Sequence, residues 1–238
     1  MAITDPGTEG ALRPVCESLG SRHTQERMER TVSQTWHGEK GEKRMMKDEE
    51  LKWKELSCEH VVHDEWMDFR KQVFQFPDGT SFGPYYTYSR RDYAVIVAYD
   101  TEGNLICVRQ FRPGIREVTT EFTAGGLERT DGKEYGNRDG KASEDALACA
   151  KRELMEETGY VSEEWRHLLT VPSQATIADN YAFLFEARNC HRAGSQHLDA
   201  TEFLNVEILT PGEIEEKIRD GKFQQAVHIL AWMLSQKR

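Results

Sequence analysis

Residues 152–160 read RELMEETGY and place three glutamates on the predicted last turn of a helix. The helix dipole makes that turn an unfavourable place for anions, by roughly 0.3 to 1 kcal/mol each, and glutamates three or four residues apart repel one another. Gly159 follows them and suits the left-handed conformation that ends many helices. At about 100° per residue, Glu153, Glu156 and Glu157 fall on one face of the helix. The sequence therefore gathers carboxylates where a surface helix would favour lysine.

A bound cation would explain this acidic face. Leu147, Ala150 and Leu154 form the adjoining apolar stripe, so the carboxylates border the predicted core. A divalent cation held by oxygen ligands replaces mutual repulsion with a shared attraction. Mg²⁺ takes few carboxylates together with waters and substrate phosphates, so the residue set predicts Mg²⁺, with Mn²⁺ as a substitute. The alternative is a solvated acidic face, which would at most bind a charged partner.

Composition excludes several classes of protein. The 238 residues are 38% hydrophobic and 30% charged, and no apolar run approaches the ~20 residues that span a bilayer. The net charge of −10 argues against nucleic-acid binding, which needs an excess of Lys and Arg. The first residues do not read as a secretory signal, so we expect a cytoplasmic protein. The five cysteines show no CxxC pair, and we expect reduced thiols, with Cys107 and Cys149 buried.

The predicted elements alternate between strands and helices. Residues 1–48 have mixed charge and little periodicity, which predicts a disordered extension. Alternating apolar residues over 51–90, with a turn at Pro77-Asp78-Gly79, predict an antiparallel meander, and 93–112 predict a hairpin. The remaining predictions are a strand at 117–128, a loop at 130–142, a helix at 143–158 with Ser143 as N-cap, strands at 165–171, 181–189 and 203–209, and helices at 210–221 and 223–237. This order predicts an α/β fold with a sheet between helices.

RELMEETGY resembles the core of the Nudix box, in which a glycine, five residues, a glutamate and seven residues precede the R-E-x-x-E-E-x-G core. Glu144 stands seven residues before Arg152, as that pattern requires, whereas Arg138 occupies the strict glycine position. The natural counterpart of that glycine is Gly126, which lies eighteen residues before Glu144. We therefore interpret residues 130–143 as an insertion of about twelve residues into the box loop.

The resemblance covers about residues 51–235 and is closest to the ADP-ribose pyrophosphatase branch, through VRQFRPGI, EFTAGG and LDATEFLNV. It implies an α/β/α sandwich with a mixed sheet, preceded by an antiparallel N-terminal sheet. The domains would then be an extension at 1–48, a dimerisation subdomain at 49–90 and the Nudix domain at 91–238. Related enzymes are homodimers that exchange the N-terminal sheet, so residues 51–90 are expected to complete the partner's site.

The resemblance also implies residue roles. Glu153 and Glu157 would bind Mg²⁺, with help from Glu156 and the backbone carbonyl of Ala124. Arg152 and Glu144 would brace the loop and the helix. The general base in this branch commonly comes from a later loop, where Glu202 is the best match and Asp199 the second. An ordinary acid of a surface loop is an open alternative for Glu202.

Other candidates come from the chemistry of the side chains. Arg112 suits a phosphate-binding cation, because guanidinium pairs with phosphate oxygens in a bidentate way, but a structural salt bridge is an open alternative. Glu121 is a candidate for orienting substrate. Several aromatic residues of the meander would form either a face for a nucleobase or part of a core or dimer interface, namely Trp53, Trp66, Tyr85, Tyr86 and Tyr88.

The sequence thus predicts Mg²⁺-dependent hydrolysis of the diphosphate in ADP-ribose or a related nucleoside diphosphate sugar. Another nucleotide sugar, such as a GDP-linked hexose, is an alternative substrate. A nucleotide-sensing module without catalysis is a second alternative, which the loss of any of the three box glutamates would favour. None of the three is missing.

Overall fold

The computed structural model of the protein describes residues 45–64, 66–128 and 144–237. Residues 1–44 of the predicted extension and the whole predicted loop at 130–142 lie outside these ranges. The helices and strands, in chain order, are α1 (Asp48–Leu51), β1 (Lys54–His63), β2 (Asp68–Gln75), β3 (Ser81–Ser89), β4 (Tyr93–Asp100), β5 (Leu105–Arg112), β6 (Glu117–Gly126), α2 (Ala146–Thr158), β7 (Tyr160–Val161), β8 (Glu164–Pro172), β9 (Tyr181–Arg192), β10 (Leu204–Leu209), α3 (Pro211–Arg219) and α4 (Ala226–Ser235). No helix in the described part of the chain is long and apolar enough to cross a bilayer.

The N-terminal sheet consists of β1, β2 and β3 in antiparallel order, which confirms the predicted meander. The turn at Pro77-Asp78-Gly79 is closed by the Phe76 amide, which donates to the Thr80 carbonyl over 2.8 Å. Strand β3 docks this sheet on the segment that leads into β9, because the Tyr88 amide donates to the Ile177 carbonyl over 2.8 Å. Every residue of β1 is exposed.

The main sheet is mixed and has the order β10-β5-β6-β4-β9-β7, with β8 paired to β9. Strands β4 and β5 form the predicted hairpin, but only Ala98 and Tyr99 of β4 pair with β5. The first half of β6 pairs with β5 and its last four residues, 123–126, pair with β4. The hairpin therefore splays apart, and the end of β6 enters the middle of the sheet.

Helices cover both faces of this sheet, which confirms the α/β/α sandwich. Alternate residues of β4 point to opposite faces. Val95 and Val97 belong to a core cluster that includes Ile214 of α3 and Trp232 of α4, whereas Ile96 belongs to one that includes Leu154 of α2. The second cluster fixes α2 beside the end of β6.

Helix α2 begins later than predicted. Its N-cap is Asp145, whose carboxylate accepts hydrogen bonds from the amides of Leu147 and Ala148. The prediction of Ser143 as N-cap is therefore wrong, because Asp145 caps the helix and Ser143 lies outside the described residues. Ser and Asp both suit an N-cap position, so residue type alone does not identify the cap. Helix α2 ends as predicted, because Gly159 adopts the left-handed conformation with φ +76°.

The last two helices differ in how well they were predicted. Helix α3 opens with a capping box between Thr210 and Glu213, as predicted. Helix α4 begins at Ala226, three residues after the predicted start at Phe223. Phe223 instead packs into the core against Phe122, with ring centroids 4.9 Å apart.

Three of the four cysteines that the structure describes are buried free thiols, and Cys107 and Cys149 are among them, as expected. Burial raises the pKa of the Cys149 thiol to about 12, with further contributions from Glu153 and Glu144. Such thiols are protonated at neutral pH and are poor nucleophiles.

Candidate active site

The three glutamates of the acidic helix face differ in exposure. Glu153 is 8% exposed and Glu157 is 4% exposed, because α2 packs against β6 and β4. The Glu156 side chain is 40% exposed. A solvated acidic face would leave all three in water, so burial of two of them argues against that alternative.

A glycine of β6 makes room for Glu153. A Cβ atom on Gly125 would lie 1.9 Å from the Glu153 carboxyl carbon and 2.0 and 2.3 Å from its oxygens. The Glu153 carboxylate therefore lies directly on the Gly125 backbone. The sequence pattern singled out Gly126 and missed Gly125, although the glycine pair was the signal. Gly126 contributes its carbonyl, which accepts from Arg152 Nη2 over 3.2 Å.

Arg152 braces the acidic face. Its Nη1 donates to Glu153 Oε1 over 2.8 Å and to Glu156 Oε2 over 2.9 Å, and its Nη2 donates to Glu144 Oε2 over 3.0 Å. These contacts support the bracing role that the resemblance implies. Hydrogen bonding to Glu144, which outweighs the cost of burial, raises the pKa of the Arg152 guanidinium. Arg152 is therefore a fixed positive charge beside the glutamates.

Glu144 closes the base of the box loop. Its amide donates to the Glu128 carbonyl over 2.7 Å, and the Glu128 amide donates back to Glu144 Oε2 over 3.2 Å. Burial raises the pKa of Glu144, but the hydrogen bonds from Arg152 and from the Glu128 backbone lower it more, so the net shift is downward. The insertion and Arg138 lie outside the described residues, yet the two ends of the segment are held together.

Glu157 has an unsatisfied oxygen. Its Oε2 is buried and has no hydrogen-bond partner among the described residues. Burial, together with the charges of Glu153 and Glu202, raises the pKa of Glu157 well above its usual value, although a hydrogen bond with the Ala124 backbone and the charge of Arg112 lower it. Burial likewise raises the pKa of Glu153 to about 7, against the lowering effect of Arg152. The buried carboxylates of Glu153 and Glu157 thus lie together with too little neighbouring positive charge to offset the effect of burial on their pKa values.

The donor set fits a divalent cation. A hard cation such as Mg²⁺ or Mn²⁺ binds carboxylate and carbonyl oxygens, and a buried oxygen without a partner is the group that such an ion would satisfy. Glu153 and Glu157 supply buried carboxylates, and Gly125 leaves the space in which the first of them sits. Ala124 borders Glu157 through its backbone, and the use of its carbonyl as a ligand stays a prediction.

The loop before β10 brings Glu202 to this site. Glu202 is half-buried, and its charge raises the pKa of both Glu153 and Glu157. Asp199 is exposed and forms a turn with Glu202, in which the Asp199 amide donates to Glu202 Oε2 over 3.0 Å and the Glu202 amide donates to the Asp199 carbonyl over 2.9 Å. The exposure of Asp199 and the effect of the Glu202 charge on Glu153 and Glu157 therefore favour Glu202 over Asp199 as the candidate general base, and this role stays a prediction.

Arg112 and Glu121 form a bidentate salt bridge. Arg112 Nε and Nη2 each donate to Glu121 over 2.8 Å, and Thr119 Oγ1 also donates to Glu121 over 3.0 Å. Glu121 is fully buried, so it acts on the site through Arg112. Arg112 is also close enough to the box for its charge to lower the pKa of Glu157. The salt bridge that the sequence left as an alternative is present, and a phosphate contact by Arg112 stays a prediction.

The candidate aromatic residues of the N-terminal sheet do not form one surface, because they have different neighbours. Trp53 and Tyr85 belong to a cluster with Phe74, in which Trp53 and Tyr85 have ring centroids 5.9 Å apart. Tyr86 stacks on Phe69. The outward-facing Trp66 is 73% exposed, and the Tyr88 hydroxyl donates to Gln174 over 2.9 Å. Packing thus accounts for most of these rings, and a role in binding a nucleobase stays untested.

Comparisons with known proteins agree with this geometry. The family model of the NUDIX domain matches residues 89–232. The chain is 26% identical over 167 residues to an ADP-ribose pyrophosphatase from Bacillus subtilis (strain 168), covering 67% of this chain and 80% of that protein. It is also 26% identical over 137 residues to a methanol dehydrogenase activator from Bacillus methanolicus, covering 57% of this chain and 67% of that protein.

A solved structure shares the fold. It is described as an ADP compounds hydrolase, has a TM-score of 0.63 and 17% sequence identity, and is matched over 78% of this chain and 93% of its own. The family model covers more than half of the chain and includes the helix that carries the three glutamates. The chain therefore belongs to the NUDIX domain family and is a Nudix hydrolase.

Proposed function

We propose that this Nudix hydrolase cleaves the diphosphate of ADP-ribose or a related nucleoside diphosphate sugar, with Mg²⁺ as its cation. The observation that carries the proposal is the unsatisfied, buried Oε2 of Glu157 beside Glu153 and Glu202. The relative named ADP-ribose pyrophosphatase supports this choice of substrate. The products would be a nucleoside monophosphate and a sugar phosphate.

The cation would be held by Glu153 and Glu157, with help from Glu156 and the carbonyl of Ala124. When bound, Mg²⁺ would neutralise charge on the diphosphate and polarise the phosphorus centre that water attacks. Arg152 acts on the carboxylates and not on the substrate, because its Nη1 holds Glu153 and Glu156 in position through hydrogen bonds.

The remaining groups would act on the substrate and the water. Arg112, oriented by its bidentate bond to Glu121, would bind a phosphate oxygen. Glu202 would accept a proton from the attacking water as the new P–O bond forms. The anhydride P–O bond breaks, and its electron pair leaves with the other phosphate.

One assay tests this proposal. Purified protein is incubated with ADP-ribose and a panel of nucleotide sugars that includes GDP-mannose, with Mg²⁺ or with a chelator, and release of monophosphate is followed. We expect Glu157→Gln to lower kcat at least 100-fold, and Glu202→Gln to lower kcat by roughly 10²- to 10⁴-fold with little change in KM. Glu215→Gln, an exposed residue of α3, is the matched control and should match the wild type.

The alternatives give different outcomes. Turnover in chelator, or full activity of Glu157→Gln, contradicts the proposed chemistry. Tight binding of a nucleotide sugar without turnover would identify a sensing module. Turnover of GDP-mannose ahead of ADP-ribose would keep the chemistry and change the substrate.

We also propose a homodimer that forms through the N-terminal sheet, as in the related enzymes. Strand β1 exposes several apolar side chains, with Leu56 46%, Val61 49% and Val62 42% exposed. Exposed apolar side chains gathered on one strand favour an interface, and the occupant that the resemblance indicates is a second copy of this chain. Light scattering on the purified protein should give twice the mass of the chain, and a monomer at all concentrations would refute the proposal.

A further inference from the structure

A second cluster of metal-binding side chains lies in the N-terminal sheet, away from the three box glutamates. It consists of His60 and His63 of β1 and Asp68 of β2, and one ligand atom from each of the three lies within 4.8 Å of the others. These residues lie outside the NUDIX domain match, which begins at residue 89. None of them has a role in the proposed hydrolysis.

An irregularity in β1 brings the two histidines together. Side chains three residues apart in a regular strand point to opposite faces of the sheet. The pairing of β1 with β2 shifts between His60 and Val62, which leaves Val61 as an extra residue. Such a bulge reverses the alternation, so His60 and His63 come to the same side, and His63 lies directly opposite Asp68. The spacing alone would not have predicted this cluster.

Both imidazoles converge on one carboxylate oxygen. His60 Nδ1 lies 2.6 Å and His63 Nδ1 3.4 Å from Asp68 Oδ1. Ligand atoms around a tetrahedral Zn²⁺ at 2.0–2.2 Å stand about 3.3–3.6 Å apart. The side chains of His60 and His63 are 54% and 59% exposed, so small rotations of exposed rings would open the shorter distance by about 1 Å and leave one coordination position to water.

The carboxylate of the cluster is held by buried groups. The second oxygen of Asp68 accepts from Arg70 Nη1 over 3.0 Å, and Arg70 is only 2% exposed. Arg70 also donates to Ser89 over 2.6 Å and to Asp179 over 3.1 Å. A ligating carboxylate oriented by a further hydrogen bond is the usual arrangement around a protein-bound metal. The same bonds join the cluster to Asp179 and thus to the segment on which β3 docks.

We propose that His60, His63 and Asp68 form a Zn²⁺ site that ties the end of β1 to β2 and, through Arg70, to the Nudix fold. Two imidazoles and one carboxylate match the ligands that Zn²⁺ prefers and differ from the all-oxygen set at Glu153 and Glu157. The protein would thus separate two metals by the chemistry of its ligands.

Isothermal titration calorimetry with ZnCl₂ tests the site in the full-length chain. A Glu153→Gln/Glu157→Gln background removes uptake of zinc at the box. We expect one zinc per chain in this background. Either His60→Gln or His63→Gln should lower the affinity for zinc by roughly 10- to 100-fold or more. The control variant His191→Gln, which replaces an exposed histidine, should leave the zinc affinity unchanged. Co²⁺ gives a second readout, because three protein ligands and water produce intense visible bands that His63→Gln should abolish.

Absence of zinc binding in the Glu153→Gln/Glu157→Gln background would overturn the proposal. Equal zinc affinity in that background with and without either histidine substitution would also overturn it, because the zinc would then be bound elsewhere in the chain. Because both histidines are exposed, near-ultraviolet circular dichroism without metal should be the same for the variants and the wild type. Mg²⁺-dependent hydrolysis should also be unchanged by His63→Gln, so failure of this site is distinguishable from failure of the proposed function.

Discussion

Replacing Gly125 with alanine should inactivate the enzyme while leaving it folded. The new Cβ would lie 2.0 Å from Glu153 Oε1, and an ordinary contact requires about 3.4 Å, so the carboxylate must move by about 1.4 Å. Displacement of a catalytic group by about 1 Å costs on the order of 10² in rate. We therefore expect kcat for ADP-ribose hydrolysis to fall about 100-fold, which equals about 2.7 kcal/mol in the activation barrier.

Stability should change little in the same variant. The atoms that must move belong to the end of a flexible side chain, and the charged hydrogen bond between Arg152 and Glu153 that would be lost contributes about 1.5 kcal/mol. Alanine in a strand gains roughly 0.5–1 kcal/mol over glycine, which offsets part of this loss. The free energy of unfolding, measured by urea titration followed by circular dichroism, should stay within about 1 kcal/mol of the wild type.

The neighbouring glycine supplies a matched control. A Cβ on Gly126 would meet Arg91 Cδ at 3.6 Å, an ordinary contact, so Gly126→Ala should keep activity within a few-fold of the wild type. If Gly125→Ala were as active as the wild type, or if Gly126→Ala lost as much activity, the reasoning from the Glu153 contact would be refuted.

Two further predictions concern the buried groups behind the site. Burial lowers the pKa of His228, which accepts from the Phe122 amide over 3.2 Å, to about 4, below the 6.5 of the unfolded chain. His228 therefore contributes up to about 3 kcal/mol to the free energy of unfolding. This contribution is fully present above pH 6.5 and is lost as the pH falls towards 4. Urea titrations between pH 4 and 7 should show that the free energy of unfolding depends less on pH in His228→Asn than in the wild type. An equal dependence on pH in the two proteins would contradict this prediction. Arg112→Gln leaves Glu121 buried without its partner and should cost about 3 kcal/mol of unfolding free energy. The double variant Arg112→Gln/Glu121→Gln should regain most of that stability but keep a KM raised at least about tenfold if Arg112 also binds phosphate, whereas a normal KM would make the pair purely structural.

The parts of the fold that depend on neighbouring residues in the chain were predicted from the sequence. The end of α2 at Gly159, the capping box of α3 and the meander of β1 to β3 each follow from periodicity or from a cap within a few residues. The prediction of Ser143 as N-cap, with Asp145 in the first turn, failed because both residue types suit an N-cap, and the local sequence does not show which one bonds to the helix amides.

Contacts between distant segments could not be predicted in this way. The placement of β6 between β4 and β5, the contact of Glu153 with Gly125 and the salt bridge between Arg112 and Glu121 all depend on which strands pair and in what register. The approach of Glu202 to the box likewise depends on where the loop before β10 lies.

The sequence by itself determined the acidic helix, its glycine stop and the family to which they point, because the spacing of residues along one helix fixes which side chains share a face. Only the tertiary structure decided that Glu153 and Glu157 are buried and that Glu157 has an unsatisfied oxygen. The physical reason is that exposure and hydrogen-bond satisfaction depend on atoms contributed by other strands and loops, and the local sequence does not specify these.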